Sequence, residues 1–179
     1  MQRNSTQPSP LRYPQIDEIW LHVAGQLGFS VVRSQSAYAS TDGRGTIIVG
    51  TDDTLDVDDC VAQLVFHELC HALVEGESKL QEIDWGLENT NERDISREYA
   101  ALRLQAHLSD TAEIRTHMPP TTEWRPYYES LPTIAIDGND EAAVIVRSVI
   151  CSSLFARWQP LLVNALVATS VCLHDGAEK

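Results

Sequence analysis

Apolar residues recur along this chain with two different periods, and the switch between them marks the elements. From Gln15 onward Ile16, Ile19, Trp20, Val23, Ala24 and Leu27 fall at helical spacing, and Gly28 supplies a stop, so a first helix is predicted. FSVVRS and SAYAS follow as short β-prone runs. TDGRGT is a turn signal leading into the β-branched run TIIVGT, and together these segments predict a small antiparallel sheet. TDDTLDVDDCVAQLVFHELCHALVEG opens on Asp residues able to cap orphan N–H groups and closes at Gly76, which predicts a long buried helix. A polar loop with Trp85 and Gly86 leads to a second long helix over residues 94–108. Residues 109–137 are Pro- and aromatic-rich and read as loop, and two helices over 139–157 and 160–173 close the chain. Residues 1–14, with three Pro among small polar residues, read as a disordered arm before a single domain at 15–179.

Composition fits that outline. Of 179 residues 43% are hydrophobic and 22% charged, enough apolar material for a core without disulfide or metal staples. A metal, if present, therefore serves function rather than folding. The net charge of −13 argues against nucleic acid or an anionic membrane as partner and favours a basic one, or plain solubility. The N-terminus has no apolar export signal, and the longest apolar stretches are too short or interrupted to span a bilayer, so a cytoplasmic protein is expected. Cys60, Cys70, Cys151 and Cys172 form no CxxC pair and are expected to be reduced.

Chemistry concentrates in HELCH, that is His67, Glu68, Leu69, Cys70 and His71. Positions i and i+4 lie one turn apart on one helix face, so both imidazoles can reach a single Zn²⁺. Glu68 lies within the same arc of about 100°, placed to face a water on the metal and take its proton as general base. Shuffling a chain of this composition yields the pattern roughly 0.014 times, so chance is a poor explanation.

A catalytic zinc takes three protein ligands and leaves one position open. A metzincin would place Gly and His where Val74 and Glu77 stand, so that class is excluded. Glu98, beside the apolar face formed by Ile95, Tyr99 and Leu102 on the next helix, is the leading third ligand. Glu92 is its main rival, with Asp94, Glu88 and His107 behind. Glu75 shares the histidine stripe but lies about 6 Å further along the axis, too far to bind the same ion. Cys70 turns away from the histidines into the core, and His22, His107, His117 and His174 stand isolated. Trp85 and Gly86 read either as a rigid loop by the site or as a hydrophobic anchor. Tyr127, Tyr128, His117 and Arg125 are candidates to stabilise an oxyanion.

HELCH, the preceding hairpin and Glu98 together resemble the gluzincin branch of zincin-like metallopeptidases. The spacing to REYAALRLQ resembles the ImmA/IrrE type of small regulatory proteases, and the HELCHALVEG, DWGLEN and LRLQ blocks resemble an uncharacterised group of bacterial HExxH proteins. The resemblance covers roughly residues 30–108 and implies a zincin-like α+β fold, a small antiparallel sheet packed on the HExxH helix, followed by a Glu-bearing helix and C-terminal helices. It further implies zinc on His67, His71 and Glu98, Glu68 as base, and a protein or peptide substrate. The chain lacks the FA pair that usually follows the glutamate in ImmA/IrrE proteins; Leu104 and Gln105 stand nearby instead. The competing expectation is a catalytically inactive zincin-fold protein that binds or regulates.

Overall fold

The computed structural model describes residues 14–88 and 92–177, the side chains of 92, 93, 176 and 177 excepted. The disordered arm expected over 1–14 lies outside the described residues, apart from Pro14, which opens the first helix. In order the elements are α1 (Pro14–Gln26), β1 (Ser30–Ser34), β2 (Ala39–Thr41), β3 (Thr46–Gly50), α2 (Val61–Glu75), α3 (Glu92–Asp110), α4 (Arg125–Ser130), α5 (Glu141–Ile150) and α6 (Ser153–Ala177). Among the described residues the fold is α+β, with six α-helices, two short 3-10 turns and a small three-stranded sheet.

The sheet departs from the antiparallel expectation. Its order is β1-β3-β2, with β2 antiparallel to β3 but β1 parallel to it. Two reversals cause this. The chain turns back between β1 and β2, then turns again at residues 42–45, where Gly43 and Gly45 adopt positive φ and Asp42 Oδ1 accepts from the Arg44 and Thr46 N–H groups. After two reversals β3 runs in the direction of β1. β3 takes the centre because its Ile47 and Val49 are fully buried, whereas the Ala-Ser-Thr sequence of β2 suits an edge.

α2 is the axis of the molecule. Every residue from Val61 to Val74 is buried, as expected of a helix covered on all sides. It starts later than the Asp run, which does not cap it. Gln63 Oε1 instead accepts from the Cys60 N–H at 2.9 Å, and Asp17 of α1 accepts from the Ala62 N–H at 2.9 Å. The Asp run instead serves the loop before α2. Tyr38 donates to Asp59, and Arg125 pairs with Asp58 and Asp59, tying residues 56–59 to the start of α4. At the other end Gly76, with φ 83°, terminates α2, and its N–H returns to Ala72 O at 3.0 Å.

α1 packs on α2 through Trp20 and Phe66, whose ring centroids lie 4.4 Å apart. α3 packs on α2, and its Ala100, Ala101 and Leu104 are buried in the same apolar cluster as α2. Residues 109–137 are not wholly loop. Pro126 near the start of α4 favours that helix, and Tyr128 is buried with Leu102, Ala106, Leu131 and Ala135. The last two helices also divide earlier than expected. The Ser152 hydroxyl accepts from the Phe155 N–H at 3.1 Å and caps α6, which then runs through Pro160 rather than breaking there. Among the described residues no helix is long and apolar enough to cross a membrane. The four cysteines are unpaired.

Candidate metal centre

Helical geometry alone brings His67 and His71 together on α2, and their Nε2 atoms stand 3.1 Å apart. α3 then delivers Glu98. Its Oε1 lies 3.2 Å from His67 Nε2 and its Oε2 lies 3.0 Å from His71 Nε2. All three side chains are buried, and among the described residues they form a group able to hold a metal ion.

The triangle fits a small divalent cation. Metal–ligand bonds of about 2.0–2.1 Å in a tetrahedron imply ligand–ligand edges of roughly 3.3–3.4 Å, close to the 3.1 Å between the two imidazole nitrogens and to the 3.0–3.2 Å from each nitrogen to its nearer Glu98 oxygen. The donor chemistry agrees. Gln105 Oε1 lies 2.9 Å from His67 Nδ1, and the Gln105 amide is itself fixed by donating to Met118 O at 2.9 Å. His67 must therefore donate from Nδ1 and present a lone pair at Nε2, as a metal requires. Glu98 Oε1 and His71 Nδ1 are buried without a hydrogen-bond partner among the described residues. An ion in the triangle would satisfy the first.

Electrostatics point the same way. Burial raises the energy of the charged form of Glu98, but His71 and His67 outweigh it and hold the carboxyl far below the usual carboxylate range. Burial alone would lower the pKa of His71, yet Glu98, with Glu68 and Glu75 behind it, raises it to about 9. The metal-free site thus binds a proton where the cation would sit.

Glu68 is not part of the triangle. Its Oε2 accepts from the Trp85 indole Nε1–H at 2.8 Å. A cavity of about 310 Å³ opens beside the group, lined on one side by His67, Glu68, His71 and Glu98 and on the other by Tyr38, Ala39, Asp56 and residues 121–124. Burial and the Asp59 carboxylate keep the Tyr38 phenol protonated, far above its ordinary pKa.

The other sequence candidates fall elsewhere. The side chain of Glu92 lies outside the described residues. Asp94 Oδ2 accepts from the Glu88 N–H at 2.7 Å, and Glu88 is exposed. Glu75 pairs with Arg97 at 3.3 Å, and His107 stands apart from the triangle, its pKa lowered by burial. Cys70 is fully buried, and burial pushes its thiol pKa well up, so it stays neutral in the core. None of the four oxyanion candidates lines the cavity. Tyr127 stacks on Tyr99 at 3.8 Å, Tyr128 donates to backbone carbonyls, Arg125 is held by Asp58 and Asp59, and His117 is exposed. Sequence reasoning missed Gln105 and Tyr38 as site residues. Gln105 stands two turns from Glu98 on the same face of α3, and a polar side chain there, between Leu104 and Ala106, was the available signal. Tyr38 carried none.

Compared with known proteins, the chain matches no family model, no curated protein and no solved structure. What fold and site define is an α+β protein with a buried His67, His71 and Glu98 group that could hold a metal ion.

Proposed function

We propose that this chain is a zinc-dependent metallopeptidase of the gluzincin type, with a zincin-like fold, that hydrolyses peptide bonds of a protein or peptide substrate in the cytoplasm. The observation that carries the reading is the convergence of His67, His71 and Glu98 beside a cavity into which a separate carboxylate, Glu68, also faces. When bound, zinc supplies the Lewis acid that makes water nucleophilic near neutral pH. Glu68 takes the proton of the attacking water and passes it to the departing amine. Gln105 holds His67 in the ligating tautomer. Asp56 and Glu123 line the cavity, no Lys or Arg among the described residues does, and a basic peptide therefore suits it.

The test combines metal analysis with turnover on a random decapeptide library. The wild-type protein should carry one zinc per chain and cleave a subset of the library, enriched in Lys and Arg near the scissile bond. Glu68→Gln should keep the zinc and lose at least about a hundredfold in rate, because it removes general-base catalysis alone. Hydrolysis retained in that variant would overturn the mechanism. A zinc-loaded wild-type protein that cleaves nothing would favour a binding role on the same fold.

A further inference from the structure

We infer that Trp85 is a positioning residue for Glu68, its indole N–H fixing one carboxylate oxygen so that the other serves the cavity. The inference deepens the metallopeptidase reading and rests on it.

Three observations carry it. First, Trp85 and its neighbour Asp84 adopt consecutive left-handed conformations, φ 57° and 49°, a region that Asp tolerates but a bulky side chain such as Trp avoids. A residue serving only as a hydrophobic anchor does not need such a backbone. Second, the turn is braced on both sides. Asp84 Oδ1 accepts from the Thr41 N–H of β2 at 3.1 Å, and the Trp85 ring meets Phe29 edge-on at 5.6 Å. The brace and the strain together place the buried indole N–H 2.8 Å from Glu68 Oε2. Third, Glu68 lines the cavity while Trp85 is absent from its lining, so the indole holds the carboxylate from the protein side.

The chemistry of the donor matters. An indole N–H donates, accepts nothing and does not titrate, so it orients a carboxylate without competing for the proton that carboxylate must collect. A Tyr, His or Lys in its place could exchange that proton. Orientation of a reacting group within hydrogen-bond reach is itself a source of rate.

Trp85→Phe keeps an aromatic ring against Phe29 and removes the donor together with part of the buried ring volume, a loss that bears on stability rather than on kcat. With the fastest-cleaved decapeptide as substrate, this variant should retain one zinc per chain and an unchanged KM while kcat falls roughly tenfold. The bond itself is read in the ¹H–¹⁵N spectrum of the metal-free protein. The Trp85 indole resonance, assigned by its loss in Trp85→Phe, should shift in Glu68→Ala and stay in place in Glu129→Ala, an exposed control. A kcat within twofold of wild type with zinc in place, or an indole resonance indifferent to Glu68→Ala, overturns the proposal. Should Trp85→Phe fail to fold, sequential assignment of the wild-type spectrum identifies the Trp85 indole instead, and its shift in Glu68→Ala still decides. A wild-type protein that cleaves no peptide, yet shows the shift, has lost the metallopeptidase reading and kept the indole–carboxylate bond.

Discussion

At His71 two opposing effects meet. Burial disfavours its charge, and the Glu98 carboxylate 3.0 Å from Nε2 restores it, raising the pKa to about 9. Any metal must displace the proton from that nitrogen, so uptake is linked to pH. Below about pH 9 the site is protonated and affinity should rise with pH, by up to about tenfold per unit, levelling off above that value. Calorimetric zinc titration at pH 7.5 in buffers of different ionisation enthalpy should register close to one proton released per metal. Affinity independent of pH between 6.5 and 8.5 would show that His71 is not protonated in the metal-free protein. The residue scale is also where the sequence was most legible. His67, Glu68 and His71 are placed by helical geometry alone, and Glu98 could be singled out from its position beside the apolar face of the next helix.

Among the elements, the hairpin between β2 and β3 supports the site indirectly. Gly43 at its tip has φ 68°, and a Cβ there would lie 2.8 Å from backbone atoms of Gln81, Glu82 and Ile83. That backbone leads directly into the Asp84–Trp85 turn. Gly43→Ala should therefore destabilise the protein by about 2 kcal/mol, from left-handed strain plus overpacking against rigid backbone. The same variant should move the Trp85 indole resonance, and urea unfolding with the NMR spectrum checks both. A variant as stable as wild type would show that the hairpin tip yields freely. This coupling was hidden in the sequence, because it joins two turns about 40 residues apart. The strand order was hidden for a related reason. Local pattern identified three β-prone runs, but which strand lies in the middle depends on the burial of Ile47 and Val49 beneath helices that come later in the chain. The helix expected over 139–157 ends early, at Ile150, because the Ser152 hydroxyl caps a new helix there, a contact that apolar spacing alone does not reveal.

Across the whole molecule one continuous apolar cluster runs from Ile16 on α1 to Leu173 on α6, and α2 passes through its middle. Trp20 donates to Thr169 at 3.1 Å, closing the first helix against the last. Little of this core depends on His67, His71 and Glu98, so a metal held there would not be needed to fold the chain. Protein stripped with chelator should keep its helical circular dichroism and a cooperative thermal transition. Free zinc about a hundredfold above Kd should then stabilise it by roughly 2.7 kcal/mol through mass action. Unfolding on chelation would instead give the metal a structural role. By itself the sequence determined what lies within one helix, the paired imidazoles and the carboxylate between them, because a helix repeats with a period that neighbours cannot alter. The pairing of Gln105 with His67 across 38 residues, of Trp85 with Glu68 across 17, and the meeting of Glu98 with both imidazoles were decided only by tertiary structure. Those meetings depend on how α3 and a strained turn pack against α2, and packing is set by the shape of the whole core rather than by any local run of residues.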